Sequence, residues 1–255
     1  TRVYPDIATA KKERVQVAGT AFEAPYIHKR GDYYYMFASV GSCCNSMLST
    51  YTTVVGRSTS FLGPYVNKNG ESMLDNKYEV LIRANDRFVG PGHNSEIVTD
   101  SEGNEWMLYH SYDRHTPSKG RYLMIDRIVW ENDWPVIAGN SPSTEAAISC
   151  LLMAQGPVKN YQNPVVNYSL PDPSVIKGED GYYYLYATED IRNLPIHRSK
   201  DLVEWEYVGT AFTKGTRPDF EPKGGLWAPD INKIGDKYVL YYSMSVWGGE
   251  WTCGI

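Results

Sequence analysis

One unit occurs four times in this 255-residue chain: a short strand, usually carrying proline, then a tight turn at glycine, then an aromatic strand running back. It limits the possible folds more than any other feature. The first copy is Phe22-Glu23-Ala24-Pro25-Tyr26-Ile27, a turn at Gly31-Asp32, and Tyr33-Tyr34-Tyr35-Met36-Phe37. A second is Asp172-Pro173-Ser174-Val175-Ile176, Gly178 to Gly181, and Tyr182-Tyr183-Tyr184-Leu185-Tyr186. A third is Trp227-Ala228-Pro229-Asp230-Ile231, Gly235-Asp236, and Tyr238-Val239-Leu240-Tyr241-Tyr242. The fourth, more diverged, is His93-Asn94-Ser95-Glu96-Ile97-Val98, Gly103-Asn104, and Trp106-Met107-Leu108-Tyr109-His110. Each reads as a β-hairpin, and a first strand that carries proline, a residue without an N–H, belongs at a sheet edge or a central channel. Aligned by their leading polar residue, Glu23, Asp172 and Trp227 are equivalent, with His93 close to the same place.

A small antiparallel sheet cannot bury both faces alone, so repeated sheets must stack on one another. The radial solution is a β-propeller, which brings the first strand of each blade to a common axis. The expected fold is therefore an all-β, single-domain propeller over residues 1–255. In it, carboxylates, an aromatic and an imidazole far apart in sequence meet around one central depression.

Composition supports a folded β-protein: 42% of residues are hydrophobic, with 21 Tyr, 7 Trp, 22 Gly and 15 Pro. The net charge of -5, from 25 basic and 30 acidic residues without a dense Lys/Arg block, argues against a nucleic-acid backbone as partner. Most of the aromatics belong to packing, but aromatics around a concave site also suit the flat C–H faces of sugar rings.

Elsewhere, Lys11 to Arg14 reads as a solvated turn, and Val15, Val17 and Ala18 alternate like a strand. Residues 66–79 are loop-like, with Asn67, Asn69-Gly70 and Asp75-Asn76 as turn residues. Tyr122 to Ile125 and Arg127 to Trp130 read as strands closed by Asn132 to Pro135. Residues 138–145 read as a terminus or linker. The run Ala146 to Ala154 is too short to span a bilayer and resembles the later part of a secretory signal peptide, although a buried strand is also open to it. The chain then starts afresh at Pro157.

The four hairpins resemble the signature hairpins of the family 43 glycoside hydrolases, which are five-bladed propellers. Cys43-Cys44, Val55-Gly56-Arg57-Ser58, Gly63-Pro64-Tyr65 and Tyr109-His110 resemble more narrowly its arabinanase branch. The resemblance implies that Asp172 is the general base that activates water and Glu23 the general acid that protonates the leaving oxygen. An inverting reaction needs two such carboxylates on opposite faces of the sugar, roughly 6.5–9.5 Å apart, with the acid protonated near neutral pH. It further implies that Trp227 stacks on a sugar, and that His93 binds a calcium ion in the channel or orients water around it. One imidazole with several waters would be an unusual calcium site. Cys43 and Cys44 line the pocket beside Glu23 or are simply two packed thiols; four cysteines define no disulfide pattern or metal-ligand spacing here.

The expected activity is hydrolysis of α-1,5-linked arabinan, a plant cell-wall polysaccharide, endo-acting if the cleft is open at both ends, by a secreted or periplasmic protein. The alternatives are a non-catalytic carbohydrate-binding propeller and a family 43 arabinofuranosidase or xylosidase. Two departures from the family pattern stand out. The Glu23 half, 1–145, resembles the C-terminal half of the family and 157–255 the N-terminal half, with 146–156 as the junction. The third blade, whose Asp tunes the acid, is missing, and Asp6 is the only nearby candidate, in a context that does not match. About four blades are therefore represented. The chain is expected not to close a ring by itself in this order, with a break near 140–157 or a gap between Ile255 and Thr1.

Overall fold

The computed structural model describes residues 6–144, 161–246, 249 and 252–254. Seventeen strands form four antiparallel sheets among these residues. Sheet I holds β1 (Glu23–Arg30), β2 (Tyr33–Val40), β3 (Thr52–Ser58) and β4 (Glu79–Ile82) in that spatial order. Sheet II holds β5 (Phe88–Gly92), β6 (Ile97–Thr99), β7 (Glu105–Asp113), β8 (Tyr122–Glu131), β9 (Trp134–Val136) and β10 (Val166–Ser169). β5 lies at one edge and β10 at the other. Sheet III is β11 (Ser174–Lys177), β12 (Tyr183–Tyr186), β13 (Pro195–Ser199) and β14 (Glu206–Thr210), and sheet IV is β15 (Gly225–Ile234), β16 (Lys237–Ser245) and β17 (Thr252–Gly254).

The four hairpins lie where the sequence puts them. β1 turns into β2 through Gly31, and Gly103, Gly181 and Gly235 serve the other three, all with positive φ. That conformation is open to glycine without steric cost. Pro25, Pro91 and Pro229 lie in β1, β5 and β15, and Pro173 just before β11, all at sheet edges, where an absent N–H breaks no ladder.

Sheets I to IV stack in order, and each junction is a hydrophobic core. Tyr35, Phe37, Val55 and Leu81 of sheet I meet Phe88, Met107, Tyr109 and Met124 of sheet II. Trp106, Leu108, Leu123 and Ile125 meet Val175, Tyr183 and Leu185 of sheet III. Leu194 meets Leu226, Tyr242 and Met244 of sheet IV. The chain also crosses between its halves: β10 pairs with β8 through Val166↔Leu123, so a sheet begun before residue 145 is completed by a strand from beyond 160.

Two local expectations are corrected. Residues around Lys11 to Arg14 are not a solvated turn but the end of a helix, α1 (Ile7–Glu13), started by Asp6, whose carboxylate accepts the Thr9 N–H at 2.8 Å. An N-cap of this kind satisfies a donor the first helical turn leaves open. Asp6 is thereby occupied as a cap. Val15, Val17 and Ala18 form no strand; Val17 and Ala18 pack on Met36, Tyr65 and Met73 at the far face of sheet I. The loop at 66–79 is as expected, with the Asn67 side chain accepting the N–H groups of Asn69 and Glu71 and Asn76 left-handed. The signal-like run 146–156 and the chain ends lie outside the described residues.

Candidate active site

In or beside the edge strand of each sheet the chain is kinked at one left-handed residue that is not glycine: Ala24 (φ 51°) in β1, His93 (φ 51°) just after β5, Asp172 (φ 56°) just before β11 and Ala228 (φ 46°) in β15. Strand register shifts at two of these places, between Glu23 and Tyr26 and between Trp227 and Asp230. An L-residue held in this region costs on the order of 1–3 kcal/mol, and such residues cluster where side chains must be aimed at a site. The kink corrects the repeat alignment. Asp172 and His93 are true equivalents, matched by Ala24 and Ala228, whereas Glu23 and Trp227 stand one residue earlier. The conformation of the kinked residue, not the identity of the first polar one, sets the register.

Asp172 is the most heavily contacted of the four expected site residues. Its side chain is 11% exposed. Oδ1 lies 2.9 Å from an Arg121 guanidinium nitrogen, 3.2 Å from His93 Nδ1 and 3.3 Å from His110 Nδ1. Oδ2 accepts the Thr188 hydroxyl at 2.5 Å, and Thr188 Oγ1 in turn accepts the Ala228 N–H at 2.8 Å. Burial opposes the charge on Asp172, yet Arg121, His93 and His110 together hold it well below the usual carboxylate range. An aspartate that remains ionised while largely buried, with some of its side chain still exposed, is suited to removing a proton from water.

His110 is fully buried, and burial, aided by the nearby Arg121 charge, lowers its pKa to about 4. Its Nδ1 lies 3.2 Å from the Asp172 backbone nitrogen and 3.3 Å from Asp172 Oδ1, and its Nε2 has no hydrogen-bond partner among the described residues. The ring stacks on Tyr51 with centroids 5.7 Å apart.

Glu23 stands exposed at the start of β1, opposite Ser39. Ser39 Oγ accepts the His93 N–H at 2.8 Å, and Thr53, opposite Ser39 on β3, donates its hydroxyl to the Pro91 carbonyl at 3.2 Å. Two side chains of sheet I thus clamp the His93 kink of sheet II beside the acidic strand end. Glu23, His93 and Asp172 belong to one connected cluster, and Trp227 joins it through its neighbour Ala228. The Trp227 indole folds over Gly225, where a Cβ would come within 2.3 Å of Nε1. Arg121, Thr188, Tyr51 and the contact made by His110 were not assigned roles from sequence. Only His110 left a trace there, in the Tyr109-His110 pair.

Cys43 and Cys44 are not two thiols: they are bonded to each other. They lie in the loop after β2, where Ser49 donates its hydroxyl to the Ser42 carbonyl at 2.7 Å. Among the described residues no three His, Cys, Asp or Glu side chains converge as a metal cage. Next to His93, however, the buried Asn94 Oδ1 has no hydrogen-bond partner, an oxygen of the type calcium takes. These residues fit an ion whose shell is completed by water, and do not fit one held by carboxylates.

The sequence profile of the glycosyl hydrolases family 43 matches residues 3–135 and 161–255. The chain belongs to this family. Among curated relatives, the extracellular exo-alpha-(1->5)-L-arabinofuranosidase ArbA of Cellvibrio japonicus is 40% identical over 123 residues, covering 48% of this chain and 35% of the relative. The extracellular endo-alpha-(1->5)-L-arabinanase 1 of Bacillus subtilis is 38% identical over 117 residues, covering 46% and 34%. Of solved structures, the Cellvibrio cellulosa alpha-L-arabinanase complexed with arabinohexaose shares 41% identity over 46% of this chain and 36% of its own, with a TM-score of 0.43. The matched part of this chain spans about a third of the length of these relatives. No helix among the described residues is long and apolar enough to cross a membrane.

Proposed function

We propose that this family 43 chain is an inverting glycosidase acting on α-1,5-linked L-arabinan or its oligosaccharides, with Asp172 as general base and Glu23 as general acid. The observation that carries the reading is the buried Asp172 carboxylate kept ionised by Arg121 and two histidines, within a cluster that also contains the exposed Glu23. Asp172 takes a proton from water as the water attacks the anomeric carbon, and Glu23 gives a proton to the departing glycosidic oxygen. Arg121 and Thr188 fix the two oxygens of the base, so the free lone pair has one orientation. Trp227 supplies a flat face for a sugar ring at the mouth of the cluster.

In this reading the four stacked sheets are blades of a five-bladed propeller whose axis passes the four kinks, and the protein works outside the cell, as the names of the two relatives say of those proteins. His93 and Asn94 would hold a calcium ion with water, which would stiffen the channel beside Asp172.

Asp172→Asn and Glu23→Gln each remove one proton-transfer role, worth on the order of 100-fold to 10,000-fold in turnover. The expected result is such a loss on linear arabinan in both variants with folding unchanged, and an inverted anomer as the first product of the unmutated chain by proton NMR. Near-normal turnover in either variant removes that residue from the mechanism. Binding of arabino-oligosaccharide without hydrolysis by the unmutated chain makes the protein a carbohydrate-binding propeller instead.

A further inference from the structure

Tyr51 is a buried polar side chain that feels both proposed catalytic carboxylates and that the mechanism above leaves without a role. It is 1% exposed. One face of its ring stacks nearly parallel on His110, at an interplanar angle of 12°, and Gly92 leaves no space beside it, since a Cβ there would come within 2.1 Å of Cδ1. Its backbone N–H is held by Ser49 Oγ at 3.3 Å. The ring is therefore fixed in place from several directions, and its hydroxyl has little freedom.

The hydroxyl itself lies close enough to Ser39 and Glu23 to feel both, and feels the charge of Asp172 as well. Burial first, and then the Glu23 carboxylate, push its ionisation far up, so it stays a neutral O–H donor at any working pH. Yet it meets hydrogen-bond geometry with no group among the described residues. A buried donor left unmade is a standing cost to the folded state, and groups kept at such a cost call for an explanation.

We infer that Tyr51 is a positioning residue for the proposed acid: its O–H donates to the Glu23 carboxylate when that side chain turns inward to protonate the glycosidic oxygen. The inference rests on the proposed role of Glu23. As the Glu23 proton passes to the leaving oxygen, negative charge grows on the carboxylate, and a donor fixed beside it stabilises that charge where it develops. No bond of Tyr51 forms or breaks. Through the ring stack, the same residue braces His110, and with it the Asp172 backbone, so one side chain ties the acid to the base.

The test is Tyr51→Phe in the full chain, which deletes the hydroxyl and keeps the stack. On arabinan, kcat is expected to fall about tenfold or more with KM nearly unchanged. On an arabinoside with a dinitrophenolate leaving group, which departs without protonation, kcat is expected to stay at the unmutated value. The melting temperature is expected to hold or rise, since an unpartnered buried group has been removed. Equal losses on both substrates, or none on either, overturn the inference. Glu23→Gln in parallel separates the two levels: if it loses no arabinan turnover, the acid assignment falls and the Tyr51 role with it. If it loses turnover on arabinan alone while Tyr51→Phe does not, only the Tyr51 role falls.

Discussion

Asp172 and Asp126 are two buried aspartates packed against the same sheet, and they are driven in opposite directions. Asp172 is surrounded by a guanidinium and two imidazoles and stays charged. Asp126, on β8, accepts the Tyr109 hydroxyl at 2.5 Å and the Ser143 N–H at 3.3 Å, and burial raises its pKa to about 6 despite those bonds. Both lose their water; what differs is the neighbour. Neutral donors soften the burial penalty on a carboxylate but do not cancel it, whereas a cation at contact distance reverses it. The same fold thus makes a base in one place and a structural carboxyl in another, and the choice is made by residues from other strands.

The contrast is broken most severely by Arg121→Met, which keeps much of the stem's volume and removes the charge. It converts the surroundings of Asp172 toward those of Asp126. Turnover on arabinan is expected to drop by on the order of 100-fold at neutral pH, as the base takes up a proton. Steady-state kinetics against the unmutated chain checks it, and a variant of near-normal activity shows that the two histidines suffice.

Asp126 provides the next largest effect, in stability. Its folded pKa is raised above the unfolded value of 3.8, so below about pH 4 it is protonated in both states and costs nothing. As pH rises through the window from about 4 to about 6, the unfolded state gives up its proton first and stability falls, because the native state binds more protons. The loss is at most about 3 kcal/mol. Denaturant melts of the unmutated chain and of Asp126→Asn at several pH values are expected to differ in slope inside that window and to run parallel above it.

The smallest effect concerns the proposed ion beside Asp172. If His93 and Asn94 hold calcium, a tenfold excess over the dissociation constant stabilises the fold by about 1.4 kcal/mol. Chelation is expected to lower the melting temperature of the unmutated chain by a few degrees and to leave His93→Ala unmoved. The same response in both places the ion elsewhere; no response in either removes it.

How far the sequence reached is visible in these same residues. It determined the four hairpins, because glycine turns, edge prolines and aromatic return strands are local chemistry and act within about 15 residues of chain. It also pointed to Glu23, Asp172, His93 and Trp227, because each heads a hairpin that resembles a signature hairpin of family 43. Only the tertiary structure decided what surrounds them. Arg121 comes from the loop just before β8 and Thr188 from the loop after β12, neither with a marker of its own, and they meet Asp172 because stacked sheets bring loop ends together. The kinks at Ala24, His93, Asp172 and Ala228, which correct the repeat register by one residue, are likewise invisible in composition. The α1 helix was missed because one cap bond, Asp6 to Thr9, outweighs the polar run that reads as a turn. Local sequence fixes where a strand turns; the sign of a buried charge depends on long-range neighbours that contact only after the sheets have packed.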